Sequence, residues 1–221
     1  MYGLLFDVDG TILDSMHIWI KPLEDIFKKY GKDLNKIPKE EKGKIEAYSF
    51  EDMCGYLAEN LAYDMTKDEV INYFKDTIEK AYGKELMAKD GAIDFLKALK
   101  KKGYKLSVAS STDHKYLEKA FQRLGMADIF DFFATPEITG LKKSQGEYWR
   151  YSIDKHKKKP KDLILFDDAL YAIKAAKKEG IKTVGIKDFP RNEKEWEFIK
   201  KEADYYVDNL ASFDFDKLLK D

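Results

Sequence analysis

The chain has 221 residues with 40 basic and 41 acidic side chains, a formal net charge of −1 at pH 7. That balance provides no overall field to draw in a nucleic acid or an anionic membrane. With 44% hydrophobic and 14% aromatic residues, the chain carries enough apolar surface for a packed core, which excludes general disorder. At roughly 150 residues per domain, the length fits one domain with a large insertion. No apolar run approaches the ~20 residues of a spanning helix. The opening MYGLLFD has neither a basic leader nor an apolar stretch of signal-peptide length, so a cytoplasmic protein is expected. Cys54 stands alone, and His17, His114 and His156 are scattered, which argues against disulfides and against a His/Cys metal site.

In chain order, GLLFDVD at 3–9 reads as the first strand, an apolar run without alternation that suits burial on both faces. Residues 15 to about 85 contain no strand-like run but helical ones around 16–30, 50–62 and 66–81. This divides the chain into a core of 1–14 and 86–221 and an inserted all-helical domain of 15–85. The insertion is aromatic-rich (Trp19, Phe27, Tyr30, Tyr48, Phe50, Tyr56, Tyr63, Tyr73, Phe74, Tyr82), and most of these rings should form its own core.

Ala92, Phe95, Leu96 and Leu99 then mark an amphipathic helix that stops at Gly103. KLSVAS (105–110) is a second strand. Leu117, Ala120, Phe121 and Leu124 mark another helix before Gly125, and FFA (132–134) is a short strand. LILFDD (163–168) is a further strand, followed by a helix carrying Ala169, Ala172, Ile173 and Ala176 before Gly180. TVGI (183–186) and YYV (205–207) complete the strands. Strands alternating with helices predict right-handed βαβ units, hence an α/β, Rossmann-like parallel-sheet core with an inserted all-helical domain. The basic tract KHKKKPK (155–161) reads as a solvated helix end before Pro160 rather than a nucleic-acid contact.

In such a sheet, ligands bind at the carboxyl ends of the strands. The first strand ends in Asp7, Asp9, Gly10 and Thr11, the second in Ser110, Ser111 and Thr112, and the LILFDD strand in Asp167 and Asp168. Four carboxylates at one point repel each other unless a cation is present, and an all-oxygen set suits Mg²⁺. Asp7 and Asp9, two apart, would share one face of a strand and perturb each other. A metal-bound Asp7 stays ionised and can act as nucleophile, while a protonated Asp9 can serve as acid. Hydroxyls and N–H groups at the helix start after Ser110 would suit a phosphate, with a lysine balancing charge.

FDVDGT at 6–11 resembles the first motif, DxDGT, of the haloacid-dehalogenase-like (HAD) hydrolases, and the resemblance spans the whole chain. It implies that Asp7 attacks phosphorus and that Asp9 is the general acid/base. VASS resembles the second motif and maps its hydroxyl to Ser110. FDDALYAIKAA resembles the acidic fourth motif, implying Mg²⁺ binding by Asp167 and Asp168 with the Asp7 carboxylate and Asp9 carbonyl. Gly10, Thr11, Ser110, Ser111 and the lysine would bind phosphate. The third motif, a lysine usually in a GKPxP(D/E) context, is present only as GLKKSQGEYW without the prolines. Aligning Glu147 with its acidic position selects Lys143, with Lys142 as the alternative.

The helical insertion falls where the β-phosphoglucomutase-like branch carries a mobile helical cap. There Trp19, Tyr48, Phe50 and Met53 are the candidate specificity residues, hinting at a small or partly apolar organic phosphate. The implied activity is Mg²⁺-dependent phosphate-monoester hydrolysis through an aspartyl phosphate by a monomer, with a small phosphorylated substrate and neither nucleic acid nor membrane as partner. A sugar-phosphate mutase is the nearest rival. Phe50 stands where related mutases have a phosphate-binding arginine, and Trp19 where they have a cap histidine. A non-catalytic Mg²⁺- and phosphate-binding module is the rival from a different class, and the intact Asp7 and Asp9 speak against it.

Overall fold

A computed structural model describes residues 1–38, 40, 45, 48 and 50–215. The chain divides into two compact units, one of Met1–Ser15 with Leu86–Asp221 and one of Met16–Glu85. In the first unit six strands form one parallel sheet: β1 (Gly3–Phe6), β2 (Lys105–Ala109), β3 (Phe132–Ala134), β4 (Leu163–Asp167), β5 (Lys182–Ile186) and β6 (Tyr205–Val207). Their spatial order is β3-β2-β1-β4-β5-β6, so the chain winds outward from β1 in both directions. The central strands are buried along nearly their whole length, which is why their sequences run apolar without alternation. Both edges of the sheet are three-residue strands, a length that limits pairing with other chains.

Phe6 and Phe166 are register partners on β1 and β4, and their rings stack at 4.7 Å with an 8° interplanar angle. The pair fixes these two strands against each other one residue before their carboxylates emerge. Leu5, Trp149, Leu163, Leu165, Ala172 and Ala176 share one fully buried cluster. A buried Leu in such a cluster contributes about 1.5–3 kcal/mol.

The second unit is helical among its described residues: α1 (Met16–Lys29), α2 (Phe50–Asn60) and α3 (Lys67–Lys80), with a π-helical turn at Ala81–Glu85. α3 opens with a capping box in which Thr66 and Glu69 satisfy each other's backbone N–H. Ile26, Phe27, Leu57, Val70 and Phe74 form its core. Phe27, Phe74 and Tyr82 are buried, while Trp19, Tyr48, Phe50 and Tyr63 are exposed large hydrophobics. The aromatic content is therefore only partly core. No helix among the described residues is long and apolar enough to cross a membrane.

One expectation is corrected. The first strand ends at Phe6, not at residue 9, because the Val8 carbonyl accepts the N–H groups of Thr11, Ile12 and Leu13 and turns the chain back. Asp7 and Asp9 therefore do not share a strand face.

Five helices of the first unit are needed below: α4 (Ala92–Lys101), α5 (His114–Arg123), α6 (Pro136–Thr139), α7 (Gly146–His156) and α8 (Leu170–Lys178). At the end of α7, His156 is buried with Nε2 2.9 Å from Ser107 Oγ. Burial, helped by Lys105 and Lys158, holds its imidazole down to about 4. The unfolded chain takes up this proton below about 6.5 and the folded one does not, so stability is lost as pH falls from 6.5 towards 4. Denaturation midpoints across this window should show a loss on the order of 2–3 kcal/mol from this group, and His156→Gln should flatten that part of the profile.

Candidate active site

The strand order sets the site. β1 lies between β2 and β4, so the residues that leave these three strands emerge side by side at their carboxyl ends. Asp7 follows β1 and donates its backbone N–H to Phe166 O at 2.9 Å. Asp167 ends β4, and Asp168 follows it. Oxygens of Asp7, Asp167 and Asp168 lie within 4.8 Å of one another, and all three residues are buried.

One cation offsets this charge. Lys143 Nζ is 2.6 Å from Asp7 Oδ1 and 2.6 Å from Asp167 Oδ2, and its side chain is 2% exposed. The two contacts differ in quality: the first has hydrogen-bond geometry, whereas the second is an ion pair without it. Burial alone would lower the Lys143 pKa, but Asp167 and Asp7 together outweigh burial and hold it well above the ordinary lysine value, so it is an ammonium.

A short turn places this lysine. Gly140, with φ +68°, closes α6, and Thr139 Oγ1 donates to Thr135 O at 2.8 Å and accepts from Leu141 N at 3.2 Å. Gln145 Oε1 accepts from Lys142 N at 2.7 Å. The turn points Lys143 inward, onto Asp7 and Asp167, and leaves Lys142 exposed.

Asp9 has different partners from those three carboxylates. Ser15 Oγ donates to its Oδ1 at 2.5 Å, and Thr112 Oγ1 donates to its Oδ2 at 2.7 Å. Hydroxyls can donate or accept, so this pair can hold Asp9 either ionised or protonated. Gly10 has φ +88°, and a Cβ there would lie 2.7 Å from Asp168 Oδ2 and 2.9 Å from Asp188 Oδ2. Only glycine lets the turn pass these carboxylates. Thr11 is fully buried, with its hydroxyl 3.4 Å from Asp168 Oδ1.

Ser110 is buried at the end of β2 and accepts from Thr112 N at 3.0 Å. The Tyr148 hydroxyl donates to Ala134 O at 2.7 Å with Ser110 O at 3.2 Å, joining the ends of β2 and β3. Ser111 is exposed and pairs instead with the Tyr171 hydroxyl at 3.1 Å.

In the helical unit Trp19, Tyr48 and Phe50 are 36%, 40% and 42% exposed, and each has a ring contact within that unit, with Tyr82, Tyr56 and Phe74 respectively. Met53 is half-buried and packs against the unit's core.

The cluster carries unresolved negative charge. Burial, then the Asp7 charge, pushes Asp167 up to about 7 against the pull of Lys143. Burial and the charges of Asp7, Asp167 and Asp188 hold Asp168 well above the carboxylate range. Asp7 Oδ2 is buried without a hydrogen-bond partner. An all-oxygen donor set with excess negative charge and an unsatisfied carboxylate oxygen fits a hard divalent cation such as Mg²⁺.

Several residues here escaped the sequence reading. Ser15 holds Asp9 together with Thr112, which the sequence reading placed at the second strand's end without this contact. Asp188 pairs with Lys89 at 2.6 Å, and Asn192 Nδ2 donates to Asp168 O at 2.9 Å. Asking what ends each strand would have found Asp188, which follows β5, had the question been put to that strand. Lys89 and Asn192 carry no comparable signal.

The motif order, the parallel sheet and this cluster agree with a comparison to known families: the chain matches the model of the haloacid dehalogenase-like hydrolases over residues 4–186 and belongs to that family. It is 28% identical over 200 residues to a Clostridium perfringens protein provisionally named a pyrophosphatase, covering 84% of this chain and 83% of that one. It is 26% identical over 194 residues to a phosphoglycolate phosphatase of Aquifex aeolicus, covering 83% of each. Its fold superposes on a Thermotoga maritima protein provisionally named a β-phosphoglucomutase, with TM-score 0.80 and 19% identity over 100% and 99% of the two chains. The chain is a phosphohydrolase with phosphatase relatives.

The two adjacent lysines give a direct test. Lys143→Ala strands two buried carboxylates and should lower kcat by roughly 10²-fold or more while destabilising the metal-free protein by about 3–5 kcal/mol. Lys142→Ala should leave both within experimental scatter, as read by steady-state phosphate release and denaturant unfolding.

Proposed function

We propose that this phosphohydrolase is a Mg²⁺-dependent phosphatase of small organic phosphate monoesters that works through an aspartyl phosphate on Asp7. The observation that carries the reading is the division of labour between two nearby carboxylates. Asp7 is buried against Lys143 with one oxygen unpartnered, and Asp9 is set apart on two hydroxyls. A carboxylate buried beside a lysine and a second one held by hydroxyls suit the separate tasks of nucleophile and acid.

In this reading Asp7 Oδ2 attacks phosphorus, the P–O bond to the leaving group breaks, and Asp9 passes its proton to the departing alkoxide. Asp9 then takes a proton from water as that water attacks the phosphoryl group, which restores Asp7 and releases phosphate. Splitting one difficult step into two is the gain. Lys143 and Ser110 neutralise and position the transferring oxygens, with the Ser111 N–H as a further donor; the Gly10 and Thr11 N–H groups are taken by Leu13 O and Val8 O, so these two residues shape the turn rather than donate. Asp7, Asp167, Asp168 and the Asp9 carbonyl would hold Mg²⁺, which supplies further charge neutralisation on the phosphoryl oxygens when bound. The exposed rings of Trp19, Tyr48 and Phe50 are offered as substrate-selecting groups. Met53, half-buried against the unit's core, is offered with them.

The test is hydrolysis of p-nitrophenyl phosphate by the purified chain, with Mg²⁺ and then with chelator. The expected result is turnover that stops on chelation, falls roughly 10³-fold or more in Asp7→Asn, and falls about 10²–10⁴-fold in Asp9→Asn. Phosphate release unchanged in Asp9→Asn would remove the acid/base assignment. Conversion of a sugar bisphosphate without net phosphate release would replace the hydrolase reading with a mutase.

A further inference from the structure

Beyond the residues assigned above, a second buried group of polar side chains lies beside the cluster. Asp188 follows β5, the neighbour of β4, and is 7% exposed. Its Oδ1 takes Lys89 Nζ at 2.6 Å, while its Oδ2 is buried with no hydrogen-bond partner. That oxygen is aimed at the cluster: it and Asp168 Oδ2 converge over Gly10, both within 3 Å of the point where a Cβ would stand.

Other contacts hold it in place. Asn192 accepts from Asp188 N at 3.0 Å and donates to Asp168 O and to Ile186 O, each at 2.9 Å. Lys89 N donates to Ile12 O at 2.8 Å, so the lysine that holds Asp188 is itself fastened to the turn carrying Asp9, Gly10 and Thr11.

A structural ion pair has no use for this arrangement. Burying one carboxylate oxygen unsatisfied, beside a second carboxylate, is unfavourable on both counts. A cation reverses both. Among the described residues, Asp7, Asp167, Asp168 and Asp188 face two buried or half-buried ammonium groups, Lys143 and Lys89. Fully ionised, the group carries two excess negative charges, the charge a divalent ion neutralises.

We propose that Asp188 is a positioning residue for the divalent-cation site: its unpartnered Oδ2 accepts a hydrogen bond from a water of the bound ion and, with Asn192, fixes the orientation of Asp168. Outer partners of this kind commonly change metal affinity by about 10–100-fold. This inference rests on the proposed cation site, and the test separates the two.

The experiment is isothermal titration of Mg²⁺ into the purified full chain, as wild type and as Asp188→Asn, at a temperature where circular dichroism shows both folded without metal. The expected result is Mg²⁺ binding by the wild type and a dissociation constant raised about tenfold in the variant. A rise of threefold or less overturns the proposal and makes Asp188 a structural partner of Lys89. If Asp188→Asn does not fold, Asp188→Ser is titrated in its place, and failure of both to fold also assigns the structural role. Absence of binding by the wild type removes the cation site itself, an outcome distinct from a normal wild type with an unaffected variant.

Discussion

Asp7 and Asp167 emerge from adjacent parallel strands in register, and everything else at the site answers to that placement. Two ionised carboxylates this close repel strongly, and burial worsens the repulsion because the charged forms lose their hydration. Lys143 meets one oxygen of each at 2.6 Å and so joins β1 and β4 electrostatically where the Phe6–Phe166 stack already joins them by packing. A single ammonium cannot balance three buried carboxylates. The elevated Asp167 and Asp168 pKa values express that deficit. The protein thus stores an unmet demand for positive charge at the point where a phosphoryl group would be handled, and apolar packing elsewhere in the sheet offsets the cost.

The second constraint is that Asp9 must stay near this cluster without becoming part of it. The early end of β1 achieves this. Three N–H groups converging on the Val8 carbonyl break the strand, and a left-handed Gly10 lets the chain pass Asp168. Asp9 then meets the Ser15 and Thr112 hydroxyls. Asp7 has an ammonium as partner, while Asp9 accepts from two hydroxyls. Two residues apart in sequence, Asp7 and Asp9 therefore have different environments, and the proposed separation of their roles rests on that difference of environment rather than of residue type.

These features differ in how visibly the sequence carries them. All six strands were legible because unalternated apolar runs such as LLF and LILF have no other comfortable place in a chain with few of them. The carboxylates ending β1 and β4 were legible for the same reason, since a strand's end is visible once the strand is. The turn after Phe6 was not. Its cause is a set of backbone hydrogen bonds to Val8, and Val favours strand in isolation. Lys89 and Asn192 were invisible because each acts across a long sequence separation, on Asp188 and on the Asp168 carbonyl, and local pattern carries no record of such pairs. Tyr171 looks like an ordinary helix residue in sequence, and only the fold brings its hydroxyl to Ser111.

The lysine turn shows how a weakened motif can keep its geometry. Where the resembling family has prolines around the lysine, this chain has LKKSQG. Proline restricts a turn by lowering the entropy of the unfolded chain. Here the restriction comes from side chains instead: Thr139 bonds at 2.8 and 3.2 Å to the backbone on both sides of Gly140, and Gln145 caps the Lys142 N–H. Gln145 also donates its own N–H to the Lys142 carbonyl at 2.9 Å, so Lys142 is bound through its backbone at both ends while its side chain faces solvent. The adjacent lysine is thereby turned to the interior, where Asp7 and Asp167 complete its anchoring. Ordering from local hydrogen bonds and ordering from the buried ion pairs reinforce each other, so the lysine needs no proline to reach its carboxylates.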